Sequence, residues 1–318
     1  MSLIERAAKR LEELRRAGVE LPTDRNHDKS HERSGDVSIA PAQGFLKPAF
    51  VNADLASVEH RSPNANSAVS GGPPRFDFDL ARLASLGFVT PDMPRTRIAD
   101  EFRILKRPLI ANASKGKAVP IRHGNLIMVT SSVPGEGKTF SAVNLAMSLA
   151  MEKDQTVLLV DADVARPSLP ILLGLPPGKG LLDVLDNKSI DLNHVLLRTN
   201  VEKLAILPSG NSHPHATELL ASASMAKLLE ELSARYADRL IIFDSPPLLV
   251  TTEARVLATQ MGQIVFIVHA ESTLQADVKR ALATIENCPV KMMVLNQART
   301  VGQGAHGYGY GYGYGYGS

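Results

Sequence analysis

Apolar residues along this chain follow two patterns, and the change between them divides it. Short continuous apolar runs occupy residues 126–129, 156–160, 203–207, 240–243, 264–268 and 290–295. Runs that are apolar on both faces predict strands of a parallel sheet covered on both sides. Between them, residues 141–151, 216–236, 252–260 and 274–285 carry the spacing of helices. The expected fold class is α/β, a mostly parallel sheet with helices on both faces.

The first part of the chain reads differently. Leu3, Ile4, Ala7, Ala8, Leu11 and Leu14 recur at helical spacing and Gly18 is a stop, so residues 1–18 predict an amphipathic helix. A helix this short is marginal alone. Its stripe would dock on a partner protein, a second copy or its own domain. Residues 19–74 are rich in Ser, Asn, Asp, His, Pro and Gly without periodicity, which predicts a disordered linker. Phe76, Phe78, Leu80, Leu83, Leu86 and Phe88 form a short apolar patch within 75–96, expected to be a helical segment docking on the next part of the chain. Residues 97–106 are helical again, ahead of Pro108, and open the main domain at 97–298.

The densest chemistry lies just after the first apolar run. Ser131, Ser132, Val133, Pro134, Gly135, Glu136, Gly137, Lys138 and Thr139 stand between that strand and a helix, the layout of a P-loop NTPase. Successive N–H groups and the positive end of the helix would surround a polyphosphate. Gly135 and Gly137 allow close backbone approach, Lys138 can reach the β- and γ-phosphates, and the Thr139 hydroxyl can sit on Mg²⁺. The strict motif has a glycine six residues before the lysine, whereas here Ser132 holds that place. Ser132, Pro134, Gly135, Glu136, Gly137, Lys138, Thr139 and Phe140 are the expected nucleotide contacts. Asp161 and Asp244 each end an apolar run, where a carboxylate can hold a metal directly or through water. Thr139, Asp161 and Asp244 would anchor it, with Asp161 or Asp163 taking a proton from an attacking hydroxyl. Asn296 follows the last strand and would either meet the base edge or serve as a turn residue. The stretch from Asn296 to Arg299 lacks the Asn-Lys-x-Asp pattern that reads guanine.

Bulk properties remove several function classes. The net charge of +2, with the signs interspersed, argues against nucleic acid as a partner. Cys288 is the single cysteine, so no internal disulfide can form. The first residues lack the apolar core of a secretion signal, and no apolar run approaches the ~20 residues of a membrane span. A cytoplasmic protein is expected. His213 and His215 lack the acidic or cysteine companions of a metal site and read as loop residues. The last stretch, 299–318, alternates Gly with Tyr308, Tyr310, Tyr312, Tyr314 and Tyr316. It is either an aromatic low-complexity segment or a set of phosphate acceptors.

Together, VTSSVPGEGKT, VLLVDADVARPSL, LIIFDSPP and the clustered tyrosines resemble the bacterial tyrosine autokinases of exopolysaccharide synthesis. DEFRILKRPL, LPSG with HATELLAS, and VLNQ match that family too, in its free-standing form associated with exosortase loci. The resemblance implies that Lys138, Asp161, Asp163 and Asp244 are catalytic, with ATP and Mg²⁺ as cofactors. It implies a ring-like homo-oligomer in which one subunit's tail enters its neighbour's site. A membrane polysaccharide copolymerase would be the activator, recruiting the protein to the inner face of the plasma membrane, and a protein-tyrosine phosphatase would reverse the reaction. Arg97, Glu101, Arg103 and Lys106 fall on the family's oligomerisation helix. The family's Asp-x-Asp-x-Arg pattern is broken, because Ala165 stands in the Arg slot and Arg166 follows, which leaves Arg166 for the phosphates or an interface. Extended at ~3.3 Å per residue, the tail reaches on the order of 60 Å, enough for a neighbouring site. A partitioning-type ATPase switch on the same fold would carry a lysine where Val133 stands. A non-catalytic nucleotide-bound scaffold would leave the tyrosines unmodified.

Overall fold

The structure, a computed structural model, describes residues 74–114, 120–235 and 239–298. The readings made for the first helix, for the linker up to residue 73 and for the tyrosine tail fall outside the described residues.

In chain order the elements are β1 (Arg75–Phe76), α1 (Leu80–Ser85), α2 (Arg97–Ala113), β2 (Leu126–Ser131), α3 (Lys138–Ala150) and β3 (Thr156–Asp161). Next come α4 (Leu169–Leu173), α5 (Leu181–Asp186), α6 (Leu192–Val195), β4 (Leu197–Thr199), β5 (Leu204–Leu207), α7 (Ala216–Leu220) and α8 (Ala223–Arg235). The last are β6 (Arg239–Asp244), α9 (Thr252–Ala258), β7 (Gln263–His269), α10 (Gln275–Ala283) and β8 (Val290–Asn296). The strands form one eight-stranded sheet in the order β1-β4-β5-β3-β6-β2-β7-β8. Every pairing is parallel except β4 with β5.

Continuous apolar runs make the central strands because both sheet faces are covered. Side chains alternate between faces along a strand. Leu126 and Met128 of β2 accordingly join the core under α7, α8 and α9. Ile127 and Val129 join the opposite core, against α2 and α3. Leu158 and Val160 of β3, and Ile241 and Phe243 of β6, repeat this division.

Three local readings differ from the structure and one strand shows no pattern, each for a visible reason. The helix expected to stop before Pro108 runs on to Ala113. A proline removes one intrahelical bond, and the carbonyl it leaves belongs to Ile104, an exposed residue. The single helix expected over 216–236 is two, because the Ser222 hydroxyl accepts from Met225 N (3.2 Å) and starts a second one. Strand β4 has only three residues, one of them Arg198, too short for a pattern to register. Lys106, expected at an interface, is instead buried at 3% exposure. Its ammonium donates to Ser148 O (2.5 Å) and pairs with Glu152 (2.8 Å), fastening α2 to the end of α3.

The segment before α2 is wired into this fold. β1 extends the sheet beside β4, and Phe78, Leu83, Phe88 and Val89 are buried in the α3 core. The Val89 N–H donates to Asn144 Oδ1 (2.7 Å), while Asn144 Nδ2 donates to Phe140 O (2.8 Å). Asn144 is fully buried, so its amide satisfies two groups that water cannot reach. Asn144→Ala should cost about 1–3 kcal/mol, the penalty for stranding a buried donor. Urea denaturation of the two proteins is the check, and an unchanged midpoint would contradict this wiring.

Candidate functional site

The sheet places the site. β2, β6 and β3 are neighbours, all pointing the same way, so their carboxyl ends meet at one edge. Asp161 and Asp244 are register partners on adjacent strands, and β2 turns into the loop beside them. The structure therefore brings together Ser132, Pro134, Gly135, Glu136, Gly137, Lys138, Thr139, Phe140, Asp161, Asp163 and Asp244.

The loop's form follows from a few bonds. Ser131 Oγ donates to Val133 O (2.9 Å), and Val133 N donates to the Glu136 carboxylate (2.7 Å). Leu248 N and Leu249 N, from the segment after β6, donate to Ser131 O (2.9 Å) and Ser132 O (3.2 Å). Gly135 and Gly137 have φ of 87° and 90°, the left-handed region that glycine occupies without strain. A Cβ on Gly137 would also lie 2.1 Å from Asn296 Nδ2. Ser132 has no positive φ, so the glycine missing from the strict motif is not required there. The loop ends directly at α3, whose first residue is Lys138.

Two side chains considered for the nucleotide act as braces of the loop. The Glu136 side chain is buried and faces back into the protein, accepting from Val133 N and from the Thr273 hydroxyl. Asn296, considered for the base edge, donates from Nδ2 to Glu136 O (2.9 Å), and its Oδ1 accepts from Gln297 N (2.9 Å).

In front of the loop lies a cavity of about 520 Å³. Pro134, Gly135, Gly137, Lys138, Thr139 and Phe140 form one wall, with Asp163, Ala165, Arg166 and Ser168 on another. Pro246, Pro247, Val250 and Thr251 complete it. Lys138 Nζ stands 4.0 Å from Asp163 Oδ2, and Thr139 Oγ1 shares a 2.8 Å hydrogen bond with Ser168 Oγ. Arg166 thus lines the site itself, and its backbone N–H donates to Asp163 O (3.1 Å). Phe140 also packs its ring on Phe88, centroids 4.8 Å apart.

Sequence reasoning missed Ser168, Val250, Thr251 and Thr273. Each follows a strand's carboxyl end by several residues, which was the available signal. Of the residues expected at an interface, Arg97 pairs with Glu101 (2.9 Å) and Arg103 pairs with Asp100, all exposed on α2 and away from the cavity lining.

The carboxylates carry the site's electrostatics. Asp161 and Asp244 are fully buried, and none of their four oxygens receives a well-placed hydrogen bond. Burial is the main cause that pushes Asp161 up to about 8, and the charges of Asp244 and Asp163 add to it. Asp244 is pushed up to about 7, again by burial first, with Thr139 and Lys138 pulling it part of the way back. Asp163 is raised too, by burial against the pull of Lys138. Orphaned buried carboxylate oxygens beside a hydroxyl are a donor set suited to a hard divalent cation.

Residues 124–293 match a family described as an AAA domain. The chain is 33% identical to tyrosine-protein kinase YwqD of Bacillus subtilis over 167 residues, 52% of this chain and 69% of that protein. It is 29% identical to tyrosine-protein kinase Etk of Escherichia coli over 211 residues, 66% of this chain but 28% of that longer protein. Among solved structures, the kinase domain of Escherichia coli tyrosine kinase ETK superposes with a TM-score of 0.58 at 27% identity, covering 70% of this chain and 86% of that one.

An Asp whose folded pKa lies above its ordinary ~3.9 stabilises the fold most at low pH. That contribution disappears as the pH rises through the folded value. In EDTA the wild type should therefore lose stability relative to Asp161→Asn between about pH 4 and about pH 8. Melting curves at both ends should show the variant gaining several °C on the wild type. A constant difference would mean that Asp161 is not held neutral in the metal-free protein.

Proposed function

The chain belongs to the AAA-domain family and to the bacterial protein-tyrosine kinases, and on that premise we propose that it transfers the γ-phosphate of ATP to tyrosines of its own C-terminal tail. The acceptors are Tyr308, Tyr310, Tyr312, Tyr314 and Tyr316. The observation that carries this reading is the meeting of the loop, Lys138 and three carboxylates at one sheet edge, beside a cavity with room for a polyphosphate.

Loop amides and Lys138 bind and orient the phosphates. Lys138 stabilises charge on the phosphoryl group in transit. Thr139, Asp161 and Asp244 are the residues that would hold Mg²⁺, which when bound supplies charge neutralisation between the phosphate oxygens. Asp163 lines the cavity and Asp161 does not, which supports Asp163 as the group that receives the phenol proton. The phenol oxygen bonds to the γ-phosphorus, the bond to the ADP oxygen breaks, and the phenol proton passes to Asp163. Arg166, on the same wall, adds positive charge where the family's pattern puts it one position earlier.

Transfer takes place between subunits of a homo-oligomer, and the exposed Arg97, Glu101 and Arg103 of α2 offer it a surface. Lys106 takes no part in it. A membrane copolymerase partner activates the kinase at the inner face of the plasma membrane, a phosphatase resets it, and the cycle governs exopolysaccharide synthesis or export. Each phosphate adds about −1.5 to −2 charges, so a fully modified tail repels itself and the oligomer loosens.

With Mg-ATP and activator present, Lys138→Met should lower tail phosphotyrosine about 100-fold by mass spectrometry. Mixing that variant with an active chain truncated after Ala305 should restore label on the Lys138→Met tails. Unlabelled tails in the mixture would rule out transfer between subunits. Absence of phosphotyrosine in the wild type would favour a partitioning-type switch or a non-catalytic scaffold.

A further inference from the structure

The P-loop holds a carboxylate whose two oxygens are both engaged within the protein, and one of the donors lies outside the motif. Glu136 is 2% exposed, in a loop whose proposed ligand is an anion. Its two carboxylate oxygens are both engaged, one by Val133 N (2.7 Å) and the other by Thr273 Oγ1. Thr273 lies after β7, 137 positions along the chain from Glu136. Its hydroxyl oxygen accepts from His269 N (3.1 Å), so its single proton is directed to Glu136. The main chain of the same residue is held as well, since Asn296 Nδ2 donates to Glu136 O (2.9 Å). Ala270 N in turn donates to Asn296 O (2.9 Å), which ties the ends of β7 and β8 to each other.

We infer that Thr273, with Asn296, is a positioning residue for nucleotide binding: it latches the P-loop from the β7–β8 side, through Glu136, in the conformation that presents its amides. Among the described residues no main-chain carbonyl accepts from the N–H of Gly135, Glu136 or Gly137, which leaves these amides to the phosphates. Val133 N, by contrast, is consumed by the latch. Without the Thr273 hydroxyl one Glu136 oxygen would be left buried and unpaired, which costs more than the bond itself contributes. The carboxylate would swing toward solvent and carry Val133 and the loop with it. The loop would then have to be reordered each time the anion binds. Such a loss weakens ground state and transition state alike, so it appears in KM and leaves kcat in place.

This inference rests on the cavity being a nucleotide site, so the test reads binding apart from phosphotransfer. In the full chain, Thr273→Val keeps the shape and removes the hydroxyl, whereas Thr273→Ser keeps the hydroxyl and removes the methyl. Titration with a non-hydrolysable ATP analogue and Mg²⁺ should show Kd raised about tenfold in Thr273→Val. In Thr273→Ser it should return to within about twofold of the wild type. Asn296→Ala, which frees Glu136 O, should weaken binding in the same direction and serves if Thr273→Val fails to fold. Steady-state tail phosphorylation should place the Thr273→Val defect in KM for ATP, with kcat changed less than about threefold. Equal binding by Thr273→Val and wild type would overturn the latch, as would equal impairment of the Val and Ser variants. Failure of the wild type itself to bind the analogue would overturn the nucleotide reading instead.

Discussion

Two buried carboxylates at paired positions of adjacent strands, with no well-placed hydrogen bond to any of their oxygens, constrain everything around them. Burial pushes both Asp161 and Asp244 well above the usual carboxylate range in the metal-free protein, and at Asp161 the charge of Asp244 adds to it. The fold tolerates the arrangement because the surroundings are built for positive charge. Lys138, the first residue of α3, stands 4.0 Å from Asp163 Oδ2, and its charge also pulls on Asp244. The strand order matters here. β6 sits between β3 and β2, so the chain must skip a position after β2 and return to fill it later. That skip puts two acidic strand ends and the loop side by side, although β2 and β6 lie more than a hundred residues apart in sequence.

How far the sequence disclosed this depended on what each residue type can mean. Continuous apolar runs admit few readings, and six of the eight strands stand where those runs predict them. Glycines at 135 and 137 were equally plain, since only a left-handed backbone demands them. Polar residues were ambiguous. Glu136 lies in a nucleotide motif and reads as a contact, and Asn296 at the end of the last strand admits a base-edge or a turn role, yet each gives its side chain to the loop's framework. Lys106 reads as an interface residue of its helix, yet its ammonium joins α2 to the end of α3. The deciding fact is a partner 42 positions away for Lys106, and one 160 positions away for Asn296, which no local window contains.

The short elements failed for a different reason. β4 and the helices α4, α5 and α6 have three to six residues each, less than the spacing needed to establish a period. They are held by capping and long-range packing instead. Asp183, for example, accepts from Gly180 N (2.8 Å) and Asn211 N (3.0 Å), which fixes α5 against the segment after β5.

The family match begins at residue 124, but the physical unit that carries the site begins earlier. Helix α3 has to hold its first turn still against the strand ends, because a phosphate-binding loop is only as fixed as the helix it opens. Its start is pinned by Phe88 on Phe140 and by Val89 on Asn144. Its end is pinned by Lys106, reaching from α2 to Ser148 O. Both anchors come from residues 75–113, and α2 is itself tied to the sheet through Gln263, whose amide donates to Leu109 O (3.0 Å) and Gly124 O (2.6 Å). The segment that reads as a dock is therefore part of the frame that sets where Lys138 points. A chain cut at the family boundary would keep every motif residue and lose the contacts that hold them in place.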